Sequence, residues 1–264
     1  MTPPGMQRSL APAALAAILA LLAACGRPSG KEQAHTAPAP VPPVYFHVNP
    51  ATAGVLRGRV RFTGKRPPAK LVDMSDEPAC VSAHRGRAYN DPVAVGRNGG
   101  LANVFLYVES GLEGKTFAPP SAPVVIDQQG CWFRPRVIGI QTGQPLEVIN
   151  SDPVTHNIHP QARINREWNH SQGAGDPPIL RRFPHPEIMI PVKCNIHSWM
   201  HAYIGVVDSP YFAVSAKDGS FEISNLPPGE YTIAAWQEAL GTQEQRVVIP
   251  PSGAAALDFT FRGK

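Results

Sequence analysis

From residue 54 onward the chain is built from short runs of alternating apolar and polar residues, punctuated by glycine and proline. "GVLRGRVRF" (54 to 62) sets Leu56, Gly58, Val60 and Phe62 against Val55, Arg57, Arg59 and Arg61, which predicts a strand with one apolar and one basic face. "LANVFLYVES" (101 to 110) predicts a second strand, and the segment between the two is loop-like, with short strand pieces at best. A new block starts near Pro123. It predicts strand, turn, strand, a turn at Thr142-Gly143, the strand "PLEVIN", and a loop that carries His156 and His159. Residues 161 to 182 have weak periodicity and form a long excursion. "HPEIMIPVKC" then alternates Ile188, Ile190, Val192 and Cys194 on one side, which puts the cysteine at the core-facing end of a strand, and "AYIGVV" is the strand that follows. Beyond Tyr211, Lys217-Asp218-Gly219-Ser220 predicts a hairpin and Leu226-Pro227-Pro228-Gly229 a turn before the strand "EYTIAAW". No helical apolar stripe longer than about three turns follows residue 25, so the class is all-β.

The chain has 264 residues, 43% of them hydrophobic, enough for two cores of ordinary size. The net charge of +4 comes without a basic run or aromatic-basic interleaving, which gives no basis for nucleic-acid binding. At the amino terminus, Arg8 precedes an apolar run too short to span a bilayer, so residues 1–24 are expected to be an export signal. Leu22-Ala23-Ala24-Cys25 resembles a bacterial lipoprotein cleavage box, which implies lipid on Cys25 and, with Gly26 following, the periplasmic face of the outer membrane. Residues 25–50 are rich in proline and alanine and predict an extended tether, with His35 and His47 solvated. With Cys25 lipidated and Cys194 used as a ligand, Cys80 and Cys131 remain to pair. Such a disulfide closes a loop of about fifty residues, worth roughly 3 to 4 kcal/mol. Two buried free thiols, or a metal held by Cys80 and His84, are the alternatives.

Cys194-x-x-His197-x-x-Met200, with His156 upstream, supplies one thiolate, two imidazoles and one thioether. Thiolate and thioether favour Cu(I) and imidazole accepts Cu(II), so this donor set suits a copper electron-transfer site. "VINSDPVTHNIH" and "CNIHSWM" resemble the ligand segments of cupredoxins, most of all the amicyanin, pseudoazurin and plastocyanin group, over about residues 123 to 208. That resemblance implies a Greek-key β-sandwich with one type 1 copper on His156, Cys194, His197 and Met200, and Asn150 bracing the ligand loop. His159 has the opposite strand parity from His156 and is expected beside the ligands, and His201 is expected to point away and be exposed. Two departures stand out. Ser198 replaces the proline of amicyanin-like loops, which loosens His197, and the long stretch from His156 to Cys194 carries His170 and His185.

The last part of the chain, from 209 to 264, resembles the closing half of a carboxypeptidase regulatory-like, transthyretin-like β-sandwich: a Gly-Ser-Phe hairpin followed by Leu-Pro-Pro-Gly-x-Tyr. Its opening strands have candidates in residues 51–122, so the cupredoxin, 123–208, is expected as an insertion in that second sandwich. Two sandwiches in series is the alternative. The function implied is electron transfer, with transient redox partners docking at the His197 edge amid Ile196, Trp199 and Ala202, and with copper handling as the alternative. No enzyme activity is expected, because the further copper sites of oxidases and nitrite reductases need paired His-x-His segments that this sequence does not contain.

Overall fold

The computed structural model describes residues 43–84 and 87–264; the expected signal peptide, Cys25 and most of the tether lie outside the described residues. The first elements are β1 (Gly54–Gly64), β2 (Lys70–Leu71), a short helix α1 (Pro78–Ala83), β3 (Tyr89–Asn90) and β4 (Phe105–Ser110). There follow β5 (Val124–Gln128), β6 (Phe133–Arg134), β7 (Val137–Gln141), β8 (Pro145–Asn150), β9 (His156–Pro160), β10 (His170–Gln172), β11 (Ile179–Arg182), β12 (Glu187–Lys193) and β13 (His201–Val207). The chain closes with β14 (Phe212–Val214), β15 (Ser220–Leu226), β16 (Gly229–Gln237), β17 (Gly241–Ile249), β18 (Ala254–Ala256) and β19 (Phe259–Gly263). The protein is an all-β protein.

Two pairs of sheets organise these strands, apart from β2 and β3, which pair only with each other. In one pair, β1 is flanked by β15 on one edge and by β18 and β19 on the other, while β14-β4-β16-β17 forms the second sheet. Leu56, Val60, Phe62, Leu106, Ile233, Phe259 and Phe261 fill one core cluster from both. In the other pair, β10-β9-β12-β13-β7 and β11-β8-β5-β6 enclose Ile126, Ile140, Leu146, Ile158, Ile190 and Ile204. The chain leaves the first pair after β4, builds the second with β5 to β13, and returns at β14.

The alternation of β1 holds: Leu56, Val60 and Phe62 are buried, and Arg57, Arg59 and Arg61 are exposed. On β4 the pattern is different, because Phe105, Leu106, Tyr107 and Val108 are all buried. Leu106 and Val108 face their own sandwich, whereas Phe105 and Tyr107 join Val137, Met189, Val207 and Ala234 in a third core where the two sandwiches meet. The parity expected for "HPEIMIPVKC" holds at Ile190, Val192 and Cys194 and fails at Ile188, which is exposed. A bulge between Glu187 and Ile190, with Met189 at φ 58°, shifts the strand by one residue there.

The hairpin expected at Lys217–Ser220 does not form. The turn closes locally, with the Gly219 N–H on the Ala216 carbonyl at 2.9 Å, but β14 pairs with β4 and β15 pairs with β1, so the chain crosses between sheets. The segment between the first two long strands also holds more than loop: α1 carries Cys80, fully buried against the second sandwich with Met74 and Ala88.

Candidate metal centre

Strand register brings the expected ligands together. β9 and β12 are antiparallel neighbours with His159 opposite Lys193, so the start of β9, where His156 sits, lies beside Cys194 just past the end of β12. Residues 194 to 200 then fold into a tight loop, closed by the Cys194 N–H on the Met200 carbonyl at 3.2 Å and the Met200 N–H on the His197 carbonyl at 3.0 Å. Polar braces fix that loop: the Asn195 N–H donates to Asn157 Oδ1, and the Asn157 amide donates to Asn169 Oδ1.

The side chains converge. His156 Nδ1 and His197 Nδ1 are 2.9 Å apart, and Cys194 Sγ lies 3.9 Å from His197 Nδ1. His156, Cys194, His197 and Met200 are all buried, and the nitrogen and sulfur donors of the first three could hold one metal ion. Two backbone N–H groups aim at the sulfur, from Asn157 at 3.4 Å and from His197 at 3.3 Å. Burial pushes the Cys194 thiol up, but hydrogen bonds from His156 and from the N–H groups of Asn157, His197 and Ile196 outweigh it and hold the group below its usual value.

The same network acts on the two imidazoles. Burial disfavours charge on His156, but its bonds to Cys194 and Asp152 prevail and raise its pKa. Burial and the neighbouring His156 charge lower that of His197, and Glu77 opposes this only partly. The two Nδ1 atoms thus face each other at 2.9 Å, along the direction in which both rings would offer a lone pair to a metal.

Asp152 is the residue of the cluster that the sequence pattern did not reveal. Its carboxylate accepts from His156 Nε2 at 2.8 Å and from the N–H groups of Gly130 and Cys131, each at 2.7 Å. A buried carboxylate behind a ligating histidine fixes the ring and its tautomer. In the sequence Ser151-Asp152-Pro153 looks like any turn, and the four-residue step back from His156 is the only trace of the role.

The remaining candidates fall outside the cluster. Asn150 donates to the carbonyls of Val154 and Gln172, both at 2.9 Å, and accepts the Asp152 N–H at 3.0 Å, which places it under the loop that carries Asp152 and His156. His159 bonds to Glu167 at 2.5 Å and to Asn195 at 3.3 Å, not to a ligand. His201 is half-buried, where exposure was expected. Cys80 and Cys131 form a disulfide, and Cys194 is the free cysteine among the described residues. His84 meets Trp132 Nε1 at 3.1 Å, so the alternative of a metal on Cys80 and His84 is set aside. The His197 edge, expected as a docking surface, is covered: His197 is 3% exposed, and of the expected surround Ala202 is buried, Trp199 is half-buried and Ile196 is freely accessible.

No sequence pattern of a known family matches this chain, and no curated protein matches it. Several solved structures are similar to part of it. A copper-containing nitrite reductase from Thermus scotoductus SA-01 is 22% identical over 38% of this chain, with a TM-score of 0.31, and the match spans a quarter (25%) of that protein's length. An oxidized mutant of amicyanin is 15% identical over 38% of this chain and 97% of its own, with a TM-score of 0.29. A purple cupredoxin from Nitrosopumilus maritimus is 20% identical over 33% of this chain and 99% of its own, with a TM-score of 0.27. The expectation that the protein is not an enzyme is withdrawn: a copper-containing nitrite reductase stands among these similar structures.

Proposed function

We propose that this protein is an exported type 1 copper protein that transfers electrons, held by lipid on Cys25 at the periplasmic face of a bacterial membrane and served by transient redox partners. The observation that carries the reading is the meeting of His156 Nδ1, His197 Nδ1 and Cys194 Sγ in one buried cluster. The donor chemistry fits copper: a sulfur that gives up its proton readily, two imidazoles facing each other, and buried Met200 closing the same loop. When bound, copper would supply a one-electron couple between Cu(I) and Cu(II). The chain's own residues would keep that couple fast by holding the donors still, through the two N–H bonds to Sγ and the Asp152 bond to His156, so that little has to move between oxidation states. The cupredoxin-like part is read as an insertion between β4 and β14 of a transthyretin-like sandwich, and the lipid anchor is supported by the residues around Cys25.

Loading residues 26–264 with Cu(II) should give an intense thiolate-to-metal absorption band and a matching paramagnetic resonance spectrum. Cys194→Ala should abolish the band, whereas Met200→Gln should keep the metal and lower the potential. A Cys194→Ala protein of unchanged colour would refute the ligand assignment. Copper handling, the second reading, is tested by the same sample: it requires a colourless or readily surrendered ion. The surplus histidines that favour handling are dispersed here, with His159 already tied to Glu167 and Asn195.

A further inference from the structure

The metal-binding end of the second sandwich is closed by a piece of chain from outside it. Helix α1 follows Glu77, its N-cap residue, and is joined through Cys80 to Cys131, next to Trp132. Cys131 is itself built into the site: its N–H donates to Asp152, and its carbonyl accepts the Trp199 indole N–H at 3.1 Å. Trp199 in turn packs on the His197 ring, with centroids 5.1 Å apart. One disulfide therefore fixes the position of Glu77 relative to the ligand loop, and it sets the Glu77 carboxylate 3.8 Å from His197 Nε2. That distance exceeds a direct hydrogen bond and lies within the range of a charge interaction or a single bridging water.

We propose that Glu77, carried on the disulfide-fixed segment over the site, is the positioning residue for His197. The need for one arises in the loop itself. Ser198 leaves the backbone after His197 without the restraint of a proline, and inside its own loop the His197 side chain has only the long 3.9 Å polar contact of Nδ1 with Cys194 Sγ. Its Nε2 faces Glu77, and a carboxylate there selects the tautomer with the proton on Nε2 and Nδ1 free to act as donor. Asp152 does the same for His156 from the opposite side, so each imidazole of the pair is held by its own carboxylate. Glu77 makes no side-chain cap bond to α1 and is partly exposed, so replacing it does not remove a structural contact of the helix.

The test has one readout without metal and one with it. In the metal-free protein, nitrogen-detected NMR of the His197 ring should show a single Nε2–H tautomer. Glu77→Gln should give mixed or exchange-broadened tautomers, and Glu77→Asp should restore most of the wild-type signal. In the copper-loaded protein, a readout that rests on the copper assignment, Glu77→Gln should weaken Cu(II) relative to Cu(I) binding by up to about tenfold, a rise in potential of up to about 59 mV. An unchanged tautomer in the metal-free Glu77→Gln protein, with a potential equal to wild type, would overturn the proposal. Should the wild-type protein give no thiolate band, the copper reading fails, and the metal-free tautomer still decides the role of Glu77. If Glu77→Gln does not fold, the single tautomer of the wild type and its retention in Glu77→Asp decide it, and mixed tautomers in the wild type would overturn it.

Discussion

The residues that matter most at the candidate site are held by polar contacts from outside their own strands. Asp152, Asn157 and Glu77 each reach a ligand or its loop across a gap that the primary sequence leaves open. Glu187 shows the same principle away from the site. It is buried and accepts from the Arg163 and Asn165 N–H groups at 2.6 and 2.8 Å and from the Asn165 side chain at 3.1 Å, pinning the excursion after β9 to the start of β12. Burial pushes this carboxyl up, but those donors prevail and hold it below its ordinary value of 4.5. The stabilisation is therefore complete above about pH 4.5 and is lost as pH falls through the depressed native value. Glu187→Gln should cost about 1–3 kcal/mol at pH 7. Denaturant titrations at several pH values should show the gap between wild type and variant closing as the pH falls below about 4.5; a gap independent of pH would refute the role of the charge.

At the scale of elements, the join between the sandwiches depends on two missing side chains. β7 and β13 run parallel with Gly139 opposite Gly205, and the Phe105 ring from β4 lies over both. A Cβ on Gly205 would come within 2.6 Å of Phe105, and one on Gly139 within 2.4 Å of Phe212. Glycine is needed here for close approach rather than for backbone conformation. Gly205→Ala should therefore destabilise by about 1–3 kcal/mol through overpacking, and Phe105→Leu in the same chain should recover part of the loss. Thermal melts of the two single variants and the double variant measure this coupling, and strict additivity would show that the contact does not set the spacing.

Over the whole molecule, the third core, with Phe105, Tyr107, Val137 and Ala234 buried in it, ties the sandwiches into one unit. An ion pair reinforces it: Arg136, between β6 and β7, holds Glu238, between β16 and β17, through two bonds of 2.5 and 2.7 Å, and little of either side chain is exposed. Arg136→Ala leaves Glu238 shielded from water without its partner and should cost about 3 kcal/mol. Calorimetry should find one unfolding transition in the wild type, moved to lower temperature in the variant. Two resolved transitions in the wild type would show that the sandwiches unfold independently.

The sequence by itself determined the all-β class, the strand of β1 with its basic outer face, and the presence of Cys194, His197 and Met200 in a single loop. These depend on neighbours a few positions apart, where alternation and spacing are direct readouts of local geometry. It also left Cys80 and Cys131 as the expected pair, by counting thiols rather than from any local signal, and the fold joins them. Only the tertiary structure decided the rest. The turn at Lys217–Ser220 has the residues of a hairpin, yet the two flanking strands find better partners in β4 and β1. β4 carries an unbroken apolar run because it is covered on both faces, a condition no window of sequence distinguishes from a single buried face. Asp152 and Glu77 are ordinary surface-type residues in the sequence. They acquire their roles because folding brings one under His156 and, through a disulfide to a distant turn, the other over His197.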